Sequence, residues 1–134
     1  MHNGGGAAWA QSLIERRLDE AVRALRKYGK KQRSAKRLHR ARKSLARLRS
    51  ALEDLGPASG AQTVDLYERV RTLYRAAGKI RDADVLLDRL KSYKDTADAG
   101  ERKELKHVAD ALRKRRKKAQ RKLGRALEDR GPKV

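Results

Sequence analysis

His39, Arg42 and Arg49 fall within the stretch HRARKSLARLRS, residues 39–50. At about 100° per residue they share one flank of a helix with Ala46. Lys36, Arg40, Lys43 and Arg47 cover the outer face of the same helix. An arginine fork donates paired hydrogen bonds to phosphate or carboxylate oxygens, and a lysine acts on them as a point charge. Between Lys36 and Arg49 there is no Asp or Glu, so no i,i+4 ion pair relieves the repulsion inside this segment. Relief must come from another helix or from an anionic ligand. A solvated basic face is the ordinary meaning of a charge run, but the missing acids weigh against it here.

A second chemistry-bearing stretch is GKIRDADVLLDRL, residues 78–90. Asp84 falls near the apolar stripe set by Ile80 and Leu87, where a carboxylate is costly unless paired. His39, Arg42 or Arg49 are its expected partners, and Asp82 and Asp84 are then orienting residues that keep the basic flank extended toward a ligand. The other reading, a D-x-D metal site, is disfavoured. Carboxylates two apart on a helix point away from each other, and the surroundings repel cations. No metal and no cofactor is expected. Farther along, RKRRKK at 113–118 runs all round its helix. His107, Lys114, Lys118, Arg121 and Arg125 share a stripe, while Arg115 or Arg116 must lie near the core edge and reach outward. Arg16, Arg23 and Lys27 form a further stripe on the first helix.

These residues sit in a chain of 134 with 37 Lys and Arg against 17 Asp and Glu, a formal net charge of +20. Such self-repulsion opposes a compact state and suits a polyanionic partner. With no cysteine, disulfides and thiolate metal sites are excluded. The start, MHNGGGAAWAQS, lacks the basic and apolar regions of a signal peptide. No apolar run approaches the roughly 20 residues of a membrane span. The expectation is a soluble cytoplasmic protein. Aromatic residues make up only 4%, with no Phe. Base-stacking platforms depend on such rings, and the Tyr residues fall largely on predicted core faces.

Four helices must position these side chains. Residues 1–7 read as a flexible glycine-rich lead-in. The first helix spans about 8–29 on the beat Ile14, Leu18, Ala21, Leu25, Tyr28. The second spans about 34–55 through Leu38, Ala41, Leu45, Leu48, Leu52 and Leu55, with Gly56 and Pro57 as its stop. The third covers about 62–94, capped by Thr63 and kinked at Gly78. Its beat is Leu66, Val70, Leu73, Ala77, Ile80 and Leu87. Asp98 and Glu101 form a capping-box variant ahead of the fourth, about 99–129, through Leu105, Val108, Leu112, Ala119, Leu123 and Ala126. Residues 131–134 are a tail. One apolar stripe per helix and short connections give an all-α antiparallel four-helix bundle with a kinked third helix, a single domain over 8–130.

Taken together, HRARKSLARLR and the later AGKIRDADVLLDRL resemble the CHAD family, the conserved histidine α-helical domain. His39, Arg42, Lys43, Arg47, Leu48 and Arg49 match its first motif, and Gly78, Arg81, Asp82, Asp84, Val85, Leu86 and Leu87 its second. Ala46 stands where the family often has Arg, and Ala77 where it usually has Leu. The resemblance implies a domain of two four-helix bundles, of which this chain covers the first, so a homodimer would replace the missing half. It also implies binding of inorganic polyphosphate and association with polyphosphate bodies or with enzymes that metabolise polyphosphate. His39, Arg42, Lys43, Arg47, Arg49 and Arg81 are the implied binding residues; Arg16, Arg23, Lys27, Lys114, Lys118 and Arg121 are an additional basic stripe. His39 is read either as a donor to phosphate or as a hinge of the Asp84 network.

Two other functions compete. A sequence-nonspecific nucleic-acid binder would use phosphate contacts alone, but no groove-reading motif is evident. A phosphate-chain enzyme would need a glycine-rich phosphate loop, an acidic metal cluster or a nucleophile–base pair, and none is present. A non-catalytic polyphosphate-binding module is the expectation.

Overall fold

A computed structural model describes residues 3–30, 33–59 and 63–130. These residues form α1 (Asn3–Lys30), α2 (Ala35–Ser59), α3 (Thr63–Lys94) and α4 (Ala99–Arg130), with no strand among them. Connections this short join near ends, so successive helices run antiparallel. Packing follows chain order: α1 lies on α2, α2 on α3 and α3 on α4, whereas α1 touches α4 sparingly. Among the described residues α2 and α4 do not meet, so they occupy diagonal corners of the bundle.

The leucine beat of α2 is the spine of the core. Leu38, Leu45 and Leu48 are fully buried, beside Leu25 and Tyr28 of α1 and Val70 and Ile80 of α3. Each such side chain contributes about 1.5–3 kcal/mol by leaving water. Ala41 and Ala77 are also fully buried, and side chains that small let neighbouring helix backbones approach closely. No polar or charged residue is buried among the described residues. The cations therefore stay at the surface or at its edge.

Helix boundaries follow local chemistry. Ser34 caps α2: its hydroxyl accepts the Arg37 N–H at 3.2 Å. Asp98 and Glu101 form the expected reciprocal box on α4, with Glu101 N donating to Asp98 Oδ1 at 2.8 Å and Asp98 N to Glu101 Oε1 at 3.0 Å. Two boundaries differ from expectation. The first helix begins at Asn3, inside the glycine-rich lead-in. Glycine in a helix costs backbone entropy, about 1 kcal/mol each, but meets no steric bar. The second helix continues past Gly56 and over Pro57 to Ser59. A proline restricts the residue before it partly through that residue's Cβ, which Gly56 lacks. The Thr63 hydroxyl donates to the Gly56 carbonyl at 3.4 Å, tying the end of α2 to the start of α3. The third helix is continuous through Gly78, where an added Cβ would meet nothing within 4 Å. The tail at 131–134 lies outside the described residues.

The long helices α3 and α4, 32 residues each, span roughly 48 Å at about 1.5 Å per residue. They outrun α1 and α2, and their shared tip overhangs the α1–α2 turn. Val108, expected on the core stripe, is 47% exposed there, as are Leu86 and Tyr93 to similar degrees. The apolar period persists, but no α1 or α2 surface reaches far enough to cover it. Tyr93 thus departs from the core placement expected of the tyrosines; Tyr28 keeps it, and Tyr67 and Tyr74 are half-buried.

Tyr28 closes the sparse α1–α4 side. Gln120 Nε2 donates to its hydroxyl at 3.0 Å, and Gln120 Oε1 accepts from Arg33 at 3.0 Å. Burial pushes the Tyr28 pKa above its ordinary 10.0, with the Gln120 hydrogen bond acting against it. A raised phenol pKa makes stability decline from the unfolded value upward, because the unfolded chain releases its proton first. Below that value the contribution is complete; it is lost as pH climbs through the folded-state pKa. Denaturant unfolding from about pH 9 to 11 will show a steeper decline for the native chain than for Tyr28→Phe. Equal slopes would place the Tyr28 hydroxyl in water.

Candidate polyanion-binding surface

The overhang creates a cleft of about 420 Å³ above the α1–α2 turn. Arg33, Ala35, Leu38 and His39 form its floor, Arg81, Asp84, Asp88 and Lys91 of α3 its wall, and Arg116 of α4 its far side. Arg116 donates to Asp84 Oδ1 at 2.8 Å, with both side chains mostly covered (33% and 25% exposed). This corrects the expected partners of Asp84. It is paired across α3 and α4, not by His39, Arg42 or Arg49. The physical reason is angular: Asp84 leans toward the α4 side of the seam, and Arg116 is the member of the RKRRKK run that faces inward between Leu112 and Ala119, both buried. Asp82 is exposed and lies outside the cleft lining. Asp84 thus anchors one cation of the cleft, and Asp82 does not join it.

His39 is exposed and lines the cleft, and its side chain makes no hydrogen bond among the described residues. Farther along the α2–α3 seam, Arg42 and Arg49 stack on Tyr74, with guanidinium carbons 5.3 and 4.7 Å from the ring centroid. Each such contact is worth about 0.5–2 kcal/mol, rising as water is excluded. One ring therefore holds two like charges that would otherwise repel. The Arg42 Nε is buried without a hydrogen-bond partner, and Arg42 and Arg49 are half-buried. The long side chains are fixed at the stem and the guanidinium planes are pre-set, which lowers the entropy lost on binding an anion.

The sequence-predicted residues do not converge on one spot. His39 and Arg81 share the cleft, and Arg42 and Arg49 continue it along the seam. Lys43 and Arg47 instead line an open groove with Leu13 and Arg17 of α1, beside Asp54. Arg16, Arg23 and Lys27 are exposed on α1, and Arg23 is engaged by Asp19 at 2.9 Å. Lys114, Lys118 and Arg121 are exposed on α4. Sequence reasoning missed Arg33, Lys91 and Tyr74. Tyr74 had a signal: it stands one helical turn before Gly78, at the edge of the stripe carrying Leu73 and Ala77. Arg33 had none, because its position depends on Gln120 of a distant helix.

Electrostatics divide the molecule. No acid occurs from Ala21 to Leu52 or from Ala111 to Leu127, whereas eight of the 17 Asp and Glu fall between 82 and 110 against six Lys and Arg. The field is thus more positive over the bundle body than at the tip. Among the described residues no three His, Asp or Glu side chains are placed to hold a metal ion, and no helix is long and apolar enough to cross a membrane.

The Asp84–Arg116 pair can be weighed directly. Asp84→Ala and Arg116→Ala will each lower stability, and a double-mutant cycle by urea unfolding will give a coupling of about 1 kcal/mol, since both groups keep some contact with water. Strict additivity would mean that the pair contributes nothing.

A family model described as the CHAD domain matches residues 16–133. That match takes in all of the cleft and the seam. No curated protein matches the chain, and no solved structure does.

Proposed function

The chain belongs to the CHAD family, and on that premise we propose that it is a non-catalytic module that binds inorganic polyphosphate. The observation that carries this reading is the Arg42–Tyr74–Arg49 stack continuing into a cleft with Arg33, His39, Arg81, Lys91 and Arg116. Along α2, His39, Arg42 and Arg49 present a donor about every one or two helical turns, which suits a linear chain charged on every unit. Arg forks take two oxygens each, and Lys91 adds a point charge. His39 acts as a donor to phosphate in this reading, since Arg116 already satisfies Asp84. The ring in the seam, Tyr74, already carries two guanidinium groups, which disfavours it as a platform for a base. The module would act in the cytoplasm, at polyphosphate bodies.

Competition tests this reading. Long-chain polyphosphate, duplex DNA and single-stranded RNA are titrated against one another at matched charge and about 150 mM salt. Polyphosphate will win by about tenfold or more per charge. Equal competition would make the surface a generic polycation and favour the alternative, a sequence-nonspecific nucleic-acid binder. In the same assay Arg42→Ala with Arg49→Ala will weaken binding and flatten the salt dependence by about two units at most. An unchanged slope would move the site elsewhere.

A homodimer belongs to the same proposal. Leu86, Tyr93 and Val108 are exposed on the α3–α4 tip, clear of the cleft lining, where charge is nearly balanced and repulsion between copies is least. Sedimentation will show self-association that Leu86→Lys abolishes; a strict monomer that binds polyphosphate fully would refute it.

A further inference from the structure

The cations of α4 face two ways. Arg116 points into the cleft and is held by Asp84. At about 100° per residue, Lys114, Lys118 and Arg125 lie some 160–180° round the helix from it, and Arg121 about 140°. All four are exposed, and so is His107 on the same line. The buried side of the helix carries Leu112, Ala119 and Leu123. The line is therefore a ridge directed away from α3. Its acid-free stretch runs from Ala111 to Leu127, and the nearest acid before it, Asp110, is already paired with Arg113 at 3.1 Å.

This ridge cannot serve the strand bound in the α2–α3 seam. The two α2 and α4 corners do not touch. The thickness of α4 itself, about 10 Å, separates ridge from cleft, and a Debye length at physiological salt is about 8 Å. An anion seated in the cleft thus leaves the ridge cations largely uncompensated. The repulsion that one strand relieves on one side persists on the other.

We propose that the outer ridge of α4, His107, Lys114, Lys118, Arg121 and Arg125, is a second polyanion site, and that the protein bridges two polyphosphate strands, or two distant segments of one. The inference rests on the polyphosphate reading above but asks more of the molecule: two independent faces instead of one. Its functional meaning is condensation, in which each bound copy ties strands together.

The test uses two pools of long-chain polyphosphate, end-labelled with donor and acceptor dyes. Anisotropy of one label reports binding, and energy transfer between labels reports bridging. Wild-type protein will raise both, and transfer will fall again in large protein excess as every strand acquires its own copies. The variant Lys114→Gln, Lys118→Gln, Arg121→Gln, Arg125→Gln will bind within about threefold of wild type yet lose transfer. A charge-matched control, Arg75→Gln, Lys79→Gln, Arg89→Gln, Lys94→Gln, changes exposed α3 cations outside ridge and cleft lining and will keep it. Transfer retained by the ridge variant, or lost equally by the control, would overturn the second site and leave the first standing. No anisotropy change with wild type would remove the polyphosphate reading and the bridge with it.

Discussion

Like-charge repulsion is the constraint around which this molecule is arranged. A net charge of +20 on 134 residues must be held within a few helix diameters by a core of leucines and alanines. The core contains no buried charge among the described residues, so ion pairs do not do the holding. Four of the pairs, Arg17–Glu20, Arg23–Asp19, Arg71–Glu68 and Arg113–Asp110, lie within single helices at the surface, where each is worth about 0.3–0.5 kcal/mol. Arg116–Asp84 crosses between helices and is partly withdrawn from water. Apolar burial therefore sets the fold, and most of the surface charge is left uncompensated within the molecule.

What ligand that surface suits is decided by how its cations are braced. Surface lysines and arginines ordinarily sample many rotamers, and ordering them on binding opposes affinity. Here Tyr74 braces Arg42 and Arg49, Gln120 braces Arg33, and Asp84 braces Arg116. Tyr74 and Gln120 are neutral, so they orient their cations without cancelling the field; Asp84 alone offsets the charge of the arginine it holds. A carboxylate for every arginine would have cancelled the positive field of this surface.

The elements were legible in the sequence because their signals are local. The unbroken step of Leu38, Ala41, Leu45, Leu48 and Leu52 names both a helix and its buried face, and Asp98 with Glu101 names a start. Gly56–Pro57 misled: with no Cβ on Gly56 one restriction is relaxed, and the helix runs over Pro57 for a last partial turn without the hydrogen bond that proline cannot donate. The site was legible in part. His39, Arg42 and Arg49 could be placed on one flank from spacing and Arg81 only through its motif, while RKRRKK required Arg115 or Arg116 at the core edge without choosing between them. The partner of Asp84 could not, since three helices supply cations at similar angles and only their relative rotation chooses among them. Tyr74 was hidden for a related reason: a tyrosine on a helix edge looks like core until the opposing helix is seen to carry arginines.

The helices pack on their sequence neighbours, α1 on α2, α2 on α3 and α3 on α4, and this bears on how the chain finds its fold. An unfolded chain this cationic is extended by its own charge, so drawing distant segments together is unfavourable. Contacts that close only short loops avoid most of that search, and low contact order goes with folding in microseconds to milliseconds. The α1–α2 hairpin can form as soon as Leu25, Tyr28, Leu38 and Leu45 meet, and α3–α4 can form separately. The topology therefore lets a self-repelling polymer fold in two local steps, with the meeting of the hairpins along α2 and α3 left to the end.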